Sequence, residues 1–160
     1  MKTVLLIEDN DDNTLLIEDV FAFEGVAAQL VSFRSAEEAL EFAICNPPDL
    51  ILMDIGLPGM SGLEATRRLR AHPATCTTPI WAVTARALKE DEDDARRAGC
   101  DFYITKPFDQ EDLGYMVKFV VASTISDDYD APPHVVPPPH LSPEQRRVSN
   151  DEDGVGRRPR

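Results

Sequence analysis

The sequence predicts an α/β fold: one parallel sheet with helices on both faces. Three observations carry this. Short apolar runs recur at residues 3–7, 27–31, 50–53, 80–83 and 102–105, separated by longer stretches with helical spacing. The middle runs are continuous rather than alternating, as expected of strands buried on both faces. Strict alternation of strand and helix supplies the crossover that each parallel neighbour needs.

The elements follow in order. Residues 3–7 form the first strand, a run that ends in Glu8-Asp9. Leu16, Val20 and Phe23, spaced by four and three, mark the apolar face of the first helix, and Gly25 suits its C-terminal cap. After the second strand, Ser35 with Glu38 three residues on reads as a capping box. It opens a helix whose inner face is Ala36, Ala39 and Ala43. The third and fourth strands, 50–53 and 80–83, enclose a further crossover helix. Gly99 closes the fourth helix, whose acidic run at 90–94 is expected to be a solvated face. After the fifth strand, Leu113, Met116, Val117 and Val120 define the last helix.

The 160 residues are enough for about one domain. The folded unit is expected to span 1–123. Seven of the 13 prolines fall after Ser123, with few large apolar residues among them, so 124–160 is expected to be a disordered tail. No output domain is expected in so short a segment. A net charge of −13 opposes phosphate backbones, and no Lys/Arg-rich stretch marks a nucleic-acid surface, so direct nucleic-acid binding is not expected. The apolar start of the chain is too short for a signal or a membrane span, which points to a cytoplasmic protein. Cys45, Cys76 and Cys100 have neither disulfide nor zinc spacing, and the expectation is small, wholly or partly buried side chains in a reducing compartment.

The residues that end the strands carry the chemistry. The first run ends in Glu8-Asp9, the third in Asp54, the fourth in Thr84 and the fifth in Lys106-Pro107. In an open parallel sheet these termini share one edge, where ligands bind. Three carboxylates repel one another unless positive charge lies among them. Lys106 is one such charge, and oxygen-only ligands suit a hard cation such as Mg²⁺. Thr84 can donate to a phosphoryl oxygen. Such a set fits phosphoryl transfer, with the central Asp54 as nucleophile and aspartyl phosphate as product.

Four motifs then resemble, in order and over residues 2–121, the receiver domain of two-component response regulators (the CheY-like superfamily). They are Leu6-Ile7-Glu8-Asp9-Asn10, the stretch 52–62 around Asp54, Ala82-Val83-Thr84-Ala85, and Tyr103-Ile104-Thr105-Lys106-Pro107-Phe108. The resemblance implies a flavodoxin-like (βα)5 sheet with strand order 2-1-3-4-5. It implies that Asp54 accepts a phosphoryl group from a sensor histidine kinase or histidine phosphotransfer protein. Mg²⁺ would be held by Glu8, Asp9, Asp54 and the Gly56 backbone carbonyl. Lys106 and Thr84 would contact the phosphoryl group, the Lys106-Pro107 bond would be cis, and Thr84 and Tyr103 would act as the switch. The output would be a protein–protein contact on the face of helix 4, strand 5 and helix 5, read by a downstream protein target. The chain would catalyse only its own aspartyl phosphorylation and dephosphorylation.

Taken singly, these residues have plainer readings. Glu8-Asp9 alone would be a solvated strand end, Thr84 a helix N-cap, Tyr103 and Trp81 core, and Lys106 a surface lysine. Gly56 and Arg86 depart from the family. In it, side chains two positions after the acceptor and two after the threonine tune water access to the phosphoaspartate. Glycine shields nothing, so an accessible phosphoryl group is expected, with Arg86 compensating. Stand-alone receivers and receivers of hybrid kinases both resemble the chain around Asp54 and around Gly99-Cys100-Asp101. A detached hybrid-kinase receiver serving as a phosphorelay intermediate is therefore the alternative. A constitutive pseudo-receiver is disfavoured by the intact Asp54, acid pair, Thr84 and Lys106. A phosphatase of the haloacid dehalogenase type would need an acid where Gly56 stands.

Overall fold

The computed structural model describes residues 1–123; the expected proline-rich tail, 124–160, lies outside the described residues. Five strands and five helices alternate: β1 (Lys2–Ile7), α1 (Asp11–Phe23), β2 (Ala28–Phe33), α2 (Ala36–Cys45), β3 (Leu50–Met53), α3 (Gly62–Ala71), β4 (Ile80–Thr84), α4 (Lys89–Ala98), β5 (Phe102–Thr105) and α5 (Gln110–Ser123). All pairings are parallel, and the order is β2-β1-β3-β4-β5, the flavodoxin-like topology. No helix among the described residues is long and apolar enough to cross a membrane.

The strand period of two sorts side chains between two cores. Leu5, Ile7, Ile51, Met53, Ile80, Ala82 and Tyr103 face the layer of α2, α3 and α4. Val4, Leu6, Leu50, Leu52, Trp81, Val83 and Ile104 face α1 and α5. All of β3 is buried, as its continuous apolar run requires. Ala36, Ala39 and Ala43 are the small residues that let α2 lie close to the sheet, and Leu113, Met116, Val117 and Val120 are the buried face of α5. Helix ends follow the expected chemistry. Ser35 Oγ accepts from Glu38 N–H, and Gly99 takes φ +116, its N–H donating to Ala95 O and Arg96 O.

Several elements differ from the sequence reading. β2 runs to Phe33 rather than ending at Val31, because it pairs with β1 through Ile7↔Phe33. As an edge strand it tolerates exposed Gln29 and Ser32, so its apolar run is broken. In α1 the buried face is Ile17, Val20 and Phe21, whereas Phe23 is 83% exposed and Leu16 only half-buried. The acidic run on α4 is not uniformly solvated: Glu92 is buried against Arg96 at 3.3 Å, and Asp91 faces Arg86 at 3.6 Å. Cys45 and Cys76 are exposed, and only Cys100 is buried.

Burial pushes the Cys100 thiol up to about 11, with Thr66 Oγ1 3.7 Å from its sulfur. A disulfide-exchange reagent at pH 8 is therefore expected to modify two thiols rapidly in the folded protein and the third only after denaturation. Rapid reaction of all three in the native state would contradict this core assignment.

Candidate functional site

Register alone brings the polar strand ends together. Ile7 pairs with Met53, and Met53 with Ala82, so Glu8 and Asp54 leave the sheet side by side. Asp54 N–H donates to Ile7 O at 3.0 Å, which fixes the acid to the end of β1. Thr84 pairs with Thr105, and Lys106 N–H donates to Thr84 O at 2.8 Å, which sets the base of the lysine beside the end of β4.

The side chains converge above this edge. Lys106 Nζ donates to Glu8 Oε2 and lies 3.4 Å from Asp54 Oδ2. Glu8 is only 3% exposed. Its carboxyl is raised above its ordinary value, first by burial; Lys106 and the Asn10 N–H at 3.1 Å oppose the shift. Asn10 also caps α1, its Oδ1 accepting from Asp12 and Asn13 N–H. That cap turns the chain into the helix directly after the acid pair. Carboxylate oxygens of Glu8, Asp9 and Asp54 lie within 4.8 Å of one another. Three acids facing one ammonium leave an excess of negative charge on hard oxygen donors, and this set fits a small divalent cation such as Mg²⁺.

Gly56 N–H donates to Asp54 Oδ1 at 3.0 Å. A Cβ placed on Gly56 would lie 3.7 Å from Asp54 Oδ1 and 3.9 Å from Arg86 Nε, so the arginine stands across the space the glycine leaves. Thr84 is buried and does not cap α4; that position falls to Leu88, which makes no side-chain cap bond. Thr84 Oγ1 instead accepts from Arg86 N–H at 3.3 Å. Tyr103 is turned inward, its hydroxyl donating to Arg86 O at 2.6 Å. Burial, with Asp91 and Glu92 nearby, pushes the phenol well up, so it keeps its proton and remains a donor. The Lys106–Pro107 peptide bond is cis. Trp81, 1% exposed, packs in the α1/α5 core with its ring 5.5 Å from Phe102.

The structure thus brings together Glu8, Asp9, Asp54 and Lys106, with Gly56, Thr84 and Arg86 beside them and Tyr103 one hydrogen bond away. The sequence reading did not single out Glu37, which reaches the loop after β3 from α2 through Met60 N–H at 2.9 Å. Nothing in a 23-residue separation signals that contact.

A five-stranded parallel sheet thus carries an acid cluster and a lysine at its carboxyl edge, the arrangement the sequence resemblance to receiver domains implies. Residues 4–118 match the response regulator receiver domain, and the chain belongs to that family. It is 44% identical over 106 residues to the polar-differentiation response regulator DivK of Brucella ovis, covering 66% of this chain and 85% of that protein. Among solved structures, it resembles the receiver domain of the sensor histidine kinase PA1611 from Pseudomonas aeruginosa, which has a magnesium ion coordinated in its active-site cleft. That likeness has a TM-score of 0.68 and 32% identity, over 76% of this chain and 98% of the other. A CheY-like receiver domain protein of Methanospirillum hungatei matches with a TM-score of 0.67 and 27% identity, over 77% of this chain and 95% of that one.

A raised carboxyl has a definite pH signature. The folded state of Glu8 holds its proton more tightly than the unfolded state, whose value is near 4.5. Its contribution to stability is therefore fully present below that value and is lost as pH rises through the folded one. In protein free of divalent cations, the stability of wild type relative to Glu8→Gln is expected to fall as pH rises above 4.5. Urea melts at a series of pH values check this, and a difference that stays flat would refute it.

Proposed function

We propose that this chain is a phosphorylation-switched response regulator in which Asp54 is the phosphoacceptor. The observation that carries the reading is the placement of Asp54 at the centre of the edge, beside the Lys106 ammonium and clustered with the carboxylates of Glu8 and Asp9. The donor is a phosphohistidine of a sensor histidine kinase or histidine phosphotransfer protein. A carboxylate oxygen of Asp54 attacks phosphorus, the phosphorus–nitrogen bond breaks, and the imidazole nitrogen leaves with the electron pair. Mg²⁺ held by Glu8, Asp9, Asp54 and the Gly56 carbonyl would supply the neutralising charge on the carboxylate and phosphoryl oxygens. Lys106, hydrogen-bonded to Glu8 and 3.4 Å from Asp54, stabilises charge on the transferred group.

Thr84 and Tyr103 are the switch. The Thr84 oxygen accepts from Arg86 N–H, which leaves the hydroxyl hydrogen for a phosphoryl oxygen. Movement of Thr84 is transmitted through Arg86, whose carbonyl holds the Tyr103 hydroxyl and whose side chain faces Asp91 on α4. The α4–β5–α5 face then changes and is read by a downstream protein. The similarity to DivK along most of that protein's length supports a stand-alone regulator. The likeness to a kinase's own receiver supports the second reading, a detached hybrid-kinase receiver that passes its phosphoryl group onward.

Incubation with phosphoramidate and Mg²⁺ is expected to yield one acid-stable, base-labile adduct, absent in Asp54→Asn and blocked by EDTA. An adduct that persists in Asp54→Asn overturns the assignment, and steady phosphate release from unrelated esters would indicate a phosphatase. Prompt transfer of the label to a histidine phosphotransfer protein would favour the relay reading.

The phosphoryl lifetime depends on what stands over Asp54. A Cβ at Gly56 makes only ordinary contacts, with Asp54 Oδ1 and Arg86 Nε. Gly56→Gln is expected to slow decay of the adduct by about two- to ten-fold, a barrier change of up to ~1.4 kcal/mol, while Arg86→Ala accelerates it. Decay rates unchanged in both variants would exclude shielding by these two positions.

A further inference from the structure

The loop from Asp54 to α3 carries Gly56 and is pinned at three places. Near Asp54, Gly56 N–H donates to Asp54 Oδ1 at 3.0 Å. At the far end, Gly62 N–H donates to Ile55 O at 3.1 Å. A Cβ on Gly62 would lie 2.3 Å from Asp54 O, so the loop closes on itself there with no room to spare. Between these two, Met60 N–H donates to Glu37 Oε1 at 2.9 Å. Glu37 lies in the first turn of α2, outside the loop and outside the carboxylate cluster.

The local sequence is shaped around this contact. Gly59 takes φ +73, a left-handed conformation that glycine adopts without strain, and a Cβ there would come 3.0 Å from Glu37 Oε1. Glycine thus provides both the turn and the opening through which the carboxylate reaches the backbone. Although exposed, Glu37 is held below its ordinary value, first by the Met60 N–H, so the acceptor is ionised and the bond charge-assisted. Ile55 and Leu57 bury their side chains, but Gly56, Pro58 and Gly59 are exposed. The outer half of the loop exposes Pro58 and Gly59 and is held at Met60, whose side chain packs against the α2/α3/α4 core and whose N–H meets Glu37.

We propose that Glu37 is a positioning residue for the phosphorylation site: its carboxylate holds the β3–α3 loop through Met60 N–H and thereby fixes Gly56 beside Asp54. The inference rests on the reading of Asp54 as phosphoacceptor and extends it to α2. Helix α2 contributes no group to the carboxylate cluster, yet it sets the shape of the loop that borders it. Groups that orient a ligand from outside affect cation affinity as well as geometry.

The test compares Glu37→Ala with Glu37→Gln in the full chain. Both remove the same unit of charge, but the glutamine carbonyl can still accept from Met60 N–H. Titration calorimetry with Mg²⁺ alone is expected to show binding weakened about ten-fold in Glu37→Ala, the lower end for a supporting group, and near wild type in Glu37→Gln. Equal weakening in both variants would mean that Glu37 acts only through its charge, and would overturn the proposal. Amide exchange without Mg²⁺ is the independent readout. Glu37→Ala is expected to speed exchange at Met60 and also at Gly56, with Leu40 in α2 unchanged. Faster exchange at Met60 alone would sever the link to the site and overturn the proposal. Asp9→Ala separates the two levels: if it binds Mg²⁺ as wild type does, the phosphorylation-site reading fails, while exchange at Gly56 still decides the role of Glu37.

Discussion

The Lys106 ammonium, set between Glu8 and Asp54, is the interaction on which the site depends. Glu8 is almost wholly buried and Asp54 stands beside it, and two carboxylates in such a place repel each other and resist losing their water. Lys106 answers part of that cost through its contacts with both. It can do so because β5 ends two strands from β3, at a distance a lysine stem spans. The acids still outnumber the base, and this residual negative charge makes the edge receptive to a cation and to the phosphoryl chemistry proposed for it.

A second layer links this edge to the surface. Arg86 occupies the turn between β4 and α4 and joins three partners with three different parts of itself. Its N–H meets Thr84, its carbonyl takes the Tyr103 hydroxyl, and its side chain faces both Asp91 and the space over Gly56. Such a turn makes few apolar contacts and many polar ones, the kind of segment that can change arrangement while the sheet beneath stays fixed. On the opposite flank, Glu37 accepts a hydrogen bond from Met60 N–H in the β3–α3 loop, the contact proposed to hold that loop. In the proposed mechanism, one side of Asp54 moves and the other stays.

Much of this was legible in the residues themselves. Continuous apolar runs identified the buried strands, alternation with helical stretches implied the parallel sheet, and the polar residue at each strand end marked the edge. The readings failed where burial depends on a neighbour rather than on local pattern. Phe23 fits the spacing of an inner face, yet α1 turns Phe21 inward instead. The polar residues of β2 are tolerated because one side of that strand has no partner. Glu92 reads as one more surface acid, but it is buried beside Arg96 one turn on.

Acidic, basic and apolar periodicity along the chain suffices for the class of fold, the membership of the carboxylate edge and the choice of Asp54 as its centre. These rest on local propensity and on a topological rule that sends every parallel strand end to the same side. Tertiary structure alone decided how the polar groups pair: Lys106 with Glu8 as well as Asp54, Tyr103 with the Arg86 carbonyl, and Glu37 with Met60. Those contacts join residues 17 to 98 positions apart, a separation across which no local pattern carries information. They form only when the packed sheet and helices bring their backbones within reach.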